Sequence, residues 1–167
     1  GKSGKMQFNE VVDKGWDSVP DQSYFDELIR VSKNQIIWGG NYFQLPPTRC
    51  FIVWDKGISE DFTLAMAELA WTSFDALAKI VRLIVPKTGK QHPTQKPQAL
   101  YRWLLKNYAN QGDLILDTHV GSASSLVVFE EMGFDYVGYE LDADYYKLST
   151  ERLEAFRAQP KLFTGRE

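Results

Sequence analysis

Apolar residues fall into two kinds of pattern along this chain, and their succession predicts a mixed α/β protein. Residues 21–33 place Phe25, Leu28, Ile29 and, less regularly, Val31 at helical spacing behind Asp21, a residue suited to cap a helix. Gln35-Ile36-Ile37-Trp38-Gly39-Gly40 reads as a short buried strand stopped by glycines. Cys50 to Asp55 reads as a second strand, set off by the Pro46-Pro47 loop. Residues 67–74 and 78–85 are β-like, and in the latter Ile80, Arg82 and Ile84 alternate with Lys79, Val81, Leu83 and Val85. Pro86 to Pro97 is a loop. The helix predicted from about Gln98 to Asn110 carries Leu100, Trp103, Leu104 and Tyr108 on one stripe. The last third is the most regular. A strand from Asp113 to Asp117, a short turn, a helix to about Met132, a strand from Phe134 to Glu140 and a helix from Asp142 to about Phe156 follow in order. That rhythm is a βαβ unit, which implies parallel pairing and a right-handed crossover.

Bulk properties change this picture little. A chain of 167 residues, 44% hydrophobic and 25% charged, fits one globular domain with a substantial core. No apolar run reaches the roughly 20 residues needed to cross a bilayer, so no membrane partner is expected. Cys50 is the only cysteine and reads as a small buried apolar residue; with no internal disulfide to form, a reducing cytoplasm is the expected setting. The net charge of −3 argues weakly against a polyanionic partner, but its distribution is uneven. Residues 76–112 hold Lys79, Arg82, Lys87, Lys90, Lys96, Arg102 and Lys106 without one acid, whereas residues 113–167 hold eleven acids against five bases. A nucleic-acid-facing patch and a solvated loop and helix face explain that asymmetry equally well.

In an open parallel sheet, ligands sit beyond the carboxyl ends of the strands. Two acids mark those ends, Asp117 and Glu140, and the small residues of Thr118-His119-Val120-Gly121-Ser122-Ala123-Ser124-Ser125 lead from the first into a helix. Such a turn lets a ligand approach the backbone and offers free N–H donors. Only Gly121 matches a Gly-x-Gly-x-x-Gly pattern, and the turn has no lysine, so neither a dinucleotide fingerprint nor a Walker loop is present. Paired strand-end acids suit a ligand with a ribose diol and a cationic tail, which favours S-adenosylmethionine, with Glu140 on the ribose hydroxyls. Read alone, the same residues also fit a helix-capping turn beside a solvated acid.

His92-Pro93-Thr94-Gln95-Lys96-Pro97 adds a more specific signal. Followed by a helix, by Asp117-Thr118-His119-Val120-Gly121-Ser122-Ala123 and by a strand ending at Glu140, it resembles the DNA N6-adenine and N4-cytosine methyltransferases whose cofactor motifs follow the catalytic one. The likeness extends upstream through Ser23-Tyr24-Phe25-Asp26-Glu27-Leu28, Ile36-Ile37-Trp38-Gly39-Gly40-Asn41-Tyr42-Phe43 and Ile52-Val53-Trp54-Asp55-Lys56, and its nearest flavour is the small phage and prophage enzymes. The resemblance implies a doubly wound, mostly parallel Rossmann-like sheet of the S-adenosylmethionine-dependent type. It also implies methyl transfer to an exocyclic amino group in double-stranded DNA, most readily N6 of adenine. The cofactor residues it implies are Asp117, Thr118, Gly121, Ser122, Ala123 and Glu140, with Thr94 and Lys96 near the methionine end. Lys87, Lys90 and Arg82 are the expected DNA contacts, no metal is expected, and a homodimer is an allowed assembly. On this reading residues 1–75 form the target-base half of the domain, residues 76–112 a basic loop and helix, and residues 113–157 the cofactor half.

Departures from the family pattern weigh unequally. Thr118 and His119 stand where members carry Pro-Phe, and Ala123 stands at the last glycine of the motif. The family's Asp/Asn/Ser-Pro-Pro-aromatic motif, which holds the flipped base, has no match. The only Pro-Pro, Pro46-Pro47, lacks both the acid and the aromatic and lies between the wrong strands. No catalytic residue is therefore assigned within the chain, and a front segment of about 30 residues is expected to lie outside it. In the family that motif rides on a strand between those ending at Asp117 and at Gly40. Without it the two neighbours should not close into the usual single sheet. Two rival classes stand beside this reading: a nucleotide-dependent oxidoreductase on a similar sheet, and a catalytically inactive methyltransferase-like domain that binds cofactor or DNA.

Overall fold

The computed structural model describes residues 20–58, 65–84 and 95–159. Its elements are α1 (Gln22–Val31), β1 (Ile36–Trp38), β2 (Phe51–Asp55), β3 (Ala67–Thr72), β4 (Lys79–Arg82), α2 (Gln98–Tyr108), β5 (Leu114–Asp117), α3 (Ser124–Glu131), β6 (Asp135–Gly138) and α4 (Ala143–Arg157). Every helix and strand expected from the sequence is present. Local chemistry sets several of the boundaries. Asp21 caps α1 by accepting the Tyr24 N–H, Asp142 caps α4 by accepting those of Asp144 and Tyr145, and Gly133 takes a left-handed φ of 74° just past α3.

The α/β arrangement expected of the methyltransferase type is observed, but the strand pairing is mixed rather than mostly parallel. β1 and β2 both pair antiparallel with β3, while β2 with β4 and β5 with β6 are parallel. β3 follows β2 in the chain and runs back antiparallel beside it, from Phe51 opposite Trp71 to Asp55 opposite Ala67. β5, α3 and β6 form the predicted βαβ unit.

The described strands form two sheets, one of order β1-β3-β2-β4 and one of order β5-β6. Among the described residues β1 and β5 do not pair, and each has an edge with no strand beside it. The strand from Gln35 to Gly40 is correspondingly less buried than expected: all three residues of β1 are half-buried. In β5, Ile115 packs on the α3 core, whereas Leu114 on the opposite face is 67% exposed.

One helix joins the two sheets. Leu100 and Leu104 of α2 pack with Ile52, Trp54, Ala70 and Val81, and its Leu105 packs with Val120, Leu126, Val128, Phe129 and Phe134. Tyr101 touches both clusters. Burying a leucine or isoleucine side chain contributes about 1.5–3 kcal/mol, so α2 gains its position from both sides. Indole N–H groups tie loops to the first sheet. Trp71 donates to the Pro46 carbonyl at 2.7 Å and Trp54 to that of Leu83 at 3.0 Å, so Pro46-Pro47 is the loop its composition suggested. Cys50 is fully buried.

Candidate functional site

The site is built where β5 and β6 end side by side. The Asp117 carbonyl accepts the Tyr139 N–H at 2.8 Å and the Tyr139 carbonyl accepts the Val120 N–H at 3.1 Å, which prolongs the ladder and draws the turn 118–123 against the end of β6. Close packing follows from Gly138. A Cβ there would lie 2.8 Å from Val120 Cγ2 and 3.1 Å from Leu126 Cδ1, so α3 rests directly on β6.

Both strand-end carboxylates hold this turn. Asp117 Oδ1 accepts the His119 N–H at 2.9 Å, and Oδ2 accepts the Ser125 hydroxyl. Glu140 Oε2 accepts the Gly121 N–H at 2.7 Å and Oε1 that of Asp142 at 2.9 Å. Glu140 is thereby aimed at the glycine while each oxygen keeps a further lone pair. Gly121 has a φ of 53°, and a Cβ there would meet nothing within 4 Å, so its outer side is open to a ligand. Ala123 adopts a φ of 57°, a left-handed conformation that costs a residue with a Cβ roughly 1–2 kcal/mol.

The other predicted turn residues fall on two sides of the backbone. Thr118 and His119 point toward α1, where the Tyr24 hydroxyl lies 2.7 Å from Thr118 Oγ1 and 3.4 Å from His119 Nδ1. Burial raises the Tyr24 pKa; the Thr118 hydrogen bond opposes that rise and the Asp117 charge adds to it. Ser122 and Ser124 turn inward instead. Both are buried, their hydroxyls are 3.2 Å apart, and Arg152 reaches both. Ser122 can therefore offer a ligand its backbone, not its hydroxyl.

A second polar cluster lies on the first sheet. Lys96 Nζ stands 3.2 Å from Glu68 and 5.2 Å from the centre of the Trp38 ring, and Lys56 Nζ stands 2.8 Å from Glu68 and 5.3 Å from the Trp54 ring. Burial alone would raise the Glu68 carboxyl, but Lys96 and Lys56 outweigh it and hold the group below its ordinary value. Burial, with added repulsion from Asp117 and Glu68, also raises the Tyr101 pKa, so this phenol lies within electrostatic reach of both clusters. No group of acids, histidines and cysteines able to hold a metal ion occurs among the described residues.

Comparison with known proteins fits this geometry. The family model described as "DNA methylase", for N6 and N4 methyltransferases, matches residues 26–151. The chain belongs to that DNA methylase family. It is 36% identical over 69 residues to the type II methyltransferase M.HpaI of Haemophilus parainfluenzae, a match covering 41% of this chain and 22% of the relative. It is 35% identical over 65 residues to the DNA adenine methyltransferase YhdJ of Escherichia coli, covering 39% of this chain and 22% of the relative. The matched segment thus spans about a fifth of the length of these curated relatives. A crystal structure of an M1.HpyAVI–SAM complex superposes with a TM-score of 0.51 at 18% identity, covering 78% of this chain and 68% of that one, which shows the shared fold.

Within this methylase framework the sequence motifs divide in a definite way. Asp117, Thr118, Gly121, Ser122, Ala123 and Glu140 come together at one turn, while Lys96 is drawn to Glu68 on the other sheet. Thr94, Lys87 and Lys90 lie outside the described residues. Arg82 is exposed and paired with Asp55 at 2.7 Å. Sequence reasoning missed Tyr24, Glu68, Tyr101 and Arg152. Arg152 left one trace: it shares an inward stripe of α4 with Ser149, Leu153 and Phe156, where a cation is out of place.

Proposed function

We propose that this chain carries the cofactor half and part of the target-base half of an enzyme that methylates an exocyclic amino nitrogen in double-stranded DNA. The carrying observation is the open Gly121 turn held between Asp117 and Glu140 at the ends of two adjacent parallel strands. These residues fit S-adenosylmethionine. Glu140 has lone pairs for a ribose diol, Gly121 lets the ligand reach the backbone, and a pyrophosphate would be repelled by the acids. When bound, that cofactor supplies a methyl group on a sulfonium centre. The chain's part is then to bind and orient: Glu140 at the ribose, the turn amides and Asp117 beside the amino-acid end, with Thr94 near the methionine carboxylate and Lys96 reaching it only by leaving Glu68.

Target chemistry lies on the other side of the turn. The base must leave the stack before its amino group can meet the methyl, and that position is stabilised by acceptors for the amino protons. Adenine N6 is the favoured target, supported by the adenine-specific relative. Among the described residues no strand covers the outer edges of β1 and β5, which supports a strand seated between them that joins both sheets and brings the base-binding motif next to Asp117. Lys87, Lys90 and Arg82 would face the phosphates, and the work would be done in the cytoplasm.

The test is to mix residues 1–167 with labelled S-adenosylmethionine and duplex DNA. Cofactor should bind, and transfer should require added protein that bears the Pro-Pro-aromatic strand. Efficient transfer by the 167 residues as a rigid monomer would overturn the placement of catalysis outside the chain. Binding of cofactor or DNA without transfer in either mixture would favour the inactive-domain reading.

A further inference from the structure

We propose that Arg152 is a positioning residue for the cofactor turn, a clamp that fixes the backbone of Ser122 between two left-handed residues; this rests on the cofactor reading above. Arg152 projects from α4 into the inner side of the turn. Its Nη1 donates to the Ser122 carbonyl at 2.7 Å and lies 3.1 Å from Ser124 Oγ and 3.3 Å from Ser122 Oγ. No ion pair joins it to a carboxylate among the described residues, unlike Arg102 and Arg157, which pair with Glu131 and Glu130. Burial lowers the guanidinium pKa from its ordinary value, which is far above neutrality, so the charge stays on and is taken up by one carbonyl and two hydroxyls.

The turn needs such a clamp because of its conformation. Gly121 and Ala123 both have positive φ, at 53° and 57°, and only the first is a glycine. Ser122 is the residue between them, and its carbonyl is the group Arg152 holds. Releasing it would let Ala123 relax toward negative φ. The Gly121 N–H would then swing away from Glu140 Oε2. Arg152 touches neither ligand nor reacting atoms in this account; it acts through the backbone.

Amide hydrogen exchange on the full chain without cofactor tests the clamp directly. Arg152→Met should speed exchange at Gly121 and Ala123 about tenfold, the scale of one lost charge-assisted hydrogen bond, while amides of β2 and β3 stay protected. Arg152→Lys, which keeps one donor, should restore part of that protection. Adding Ala123→Gly to Arg152→Met should restore most of it, because glycine takes the left-handed conformation without strain. S-adenosylmethionine affinity measured by calorimetry should follow the same order, weakened about tenfold by Arg152→Met and recovered in the double variant. Unchanged exchange at Gly121 and Ala123 would overturn the clamp. So would faster exchange spread along α4 that Ala123→Gly leaves in place, since Arg152 would then only dock the helix. If the clamp behaves as expected but no variant, nor the native chain, binds cofactor, the cofactor reading fails and the clamp stands.

Discussion

The β5–α3–β6–α4 unit and the β1–β3–β2–β4 sheet make their sites by different means. In the first, apart from Tyr24 of α1, the groups around the turn come from about forty consecutive residues, and its geometry follows from adjacent strand ends, one glycine and two carboxylates bonded to backbone amides. In the second, Lys56, Glu68 and Lys96 meet because β3 runs back antiparallel along β2 and Lys96, just before α2, lies against Glu68 of β3. The first site is set by local order and the second by long-range pairing.

The largest expected effect breaks the second region. A Cβ at Gly40 would lie 2.4 Å from Trp71 Cβ and 3.1 Å from the Trp71 backbone nitrogen, so Gly40→Ala should destabilise the protein by about 3 kcal/mol. Chemical denaturation measures this, and unchanged stability would show that β1 and β3 can separate freely. Glu140→Ala sharpens the first region: S-adenosylmethionine binding should weaken by about 1.5–3 kcal/mol in a variant that still folds. Equal affinity by calorimetry would reduce Glu140 to a brace for Gly121.

Glu68→Gln should cost about 1 kcal/mol, since two partly buried ammonium groups lose their partner while water screens part of the loss. The same carboxyl predicts a pH dependence. Its folded pKa lies below the ordinary value, so its stabilisation is full above the unfolded pKa, near 4.5, and is lost as pH falls through the lower folded value. Stability curves of the native chain and Glu68→Gln should therefore converge in acid; parallel curves would contradict the coupling. The smallest effect concerns DNA. Replacing Lys87 and Lys90 should flatten the salt dependence of binding by up to about two phosphate contacts and leave cofactor affinity intact. An unaltered slope would move the DNA face elsewhere on the molecule.

How much of this was legible follows the same division. Helix and strand positions were readable because each stretch has a clear period, as with Leu100, Leu104 and Tyr108 in α2 or the capped start of α4 at Asp142. Asp117, Gly121 and Glu140 were readable because a βαβ unit brings its strand ends together whatever the rest of the chain does. The mixed pairing was not, since β2 and β3 carry no mark of relative direction in their composition. Nor were Glu68 between two lysines and Arg152 beneath Ser122, because contacts across many residues are set by docking rather than by period. Among the described residues β1 and β5 fall in separate sheets, a placement that no period in either strand marks.

The central claim is that the turn between Asp117 and Glu140 holds S-adenosylmethionine, and a pair of calorimetric titrations of the native chain tests it most directly. S-adenosylmethionine and NAD would each be titrated into the same preparation. The account predicts saturable one-site binding of S-adenosylmethionine and no comparable binding of NAD, whose pyrophosphate the paired acids repel. Binding of NAD at equal or greater affinity, or no binding of S-adenosylmethionine to a folded chain, would contradict it.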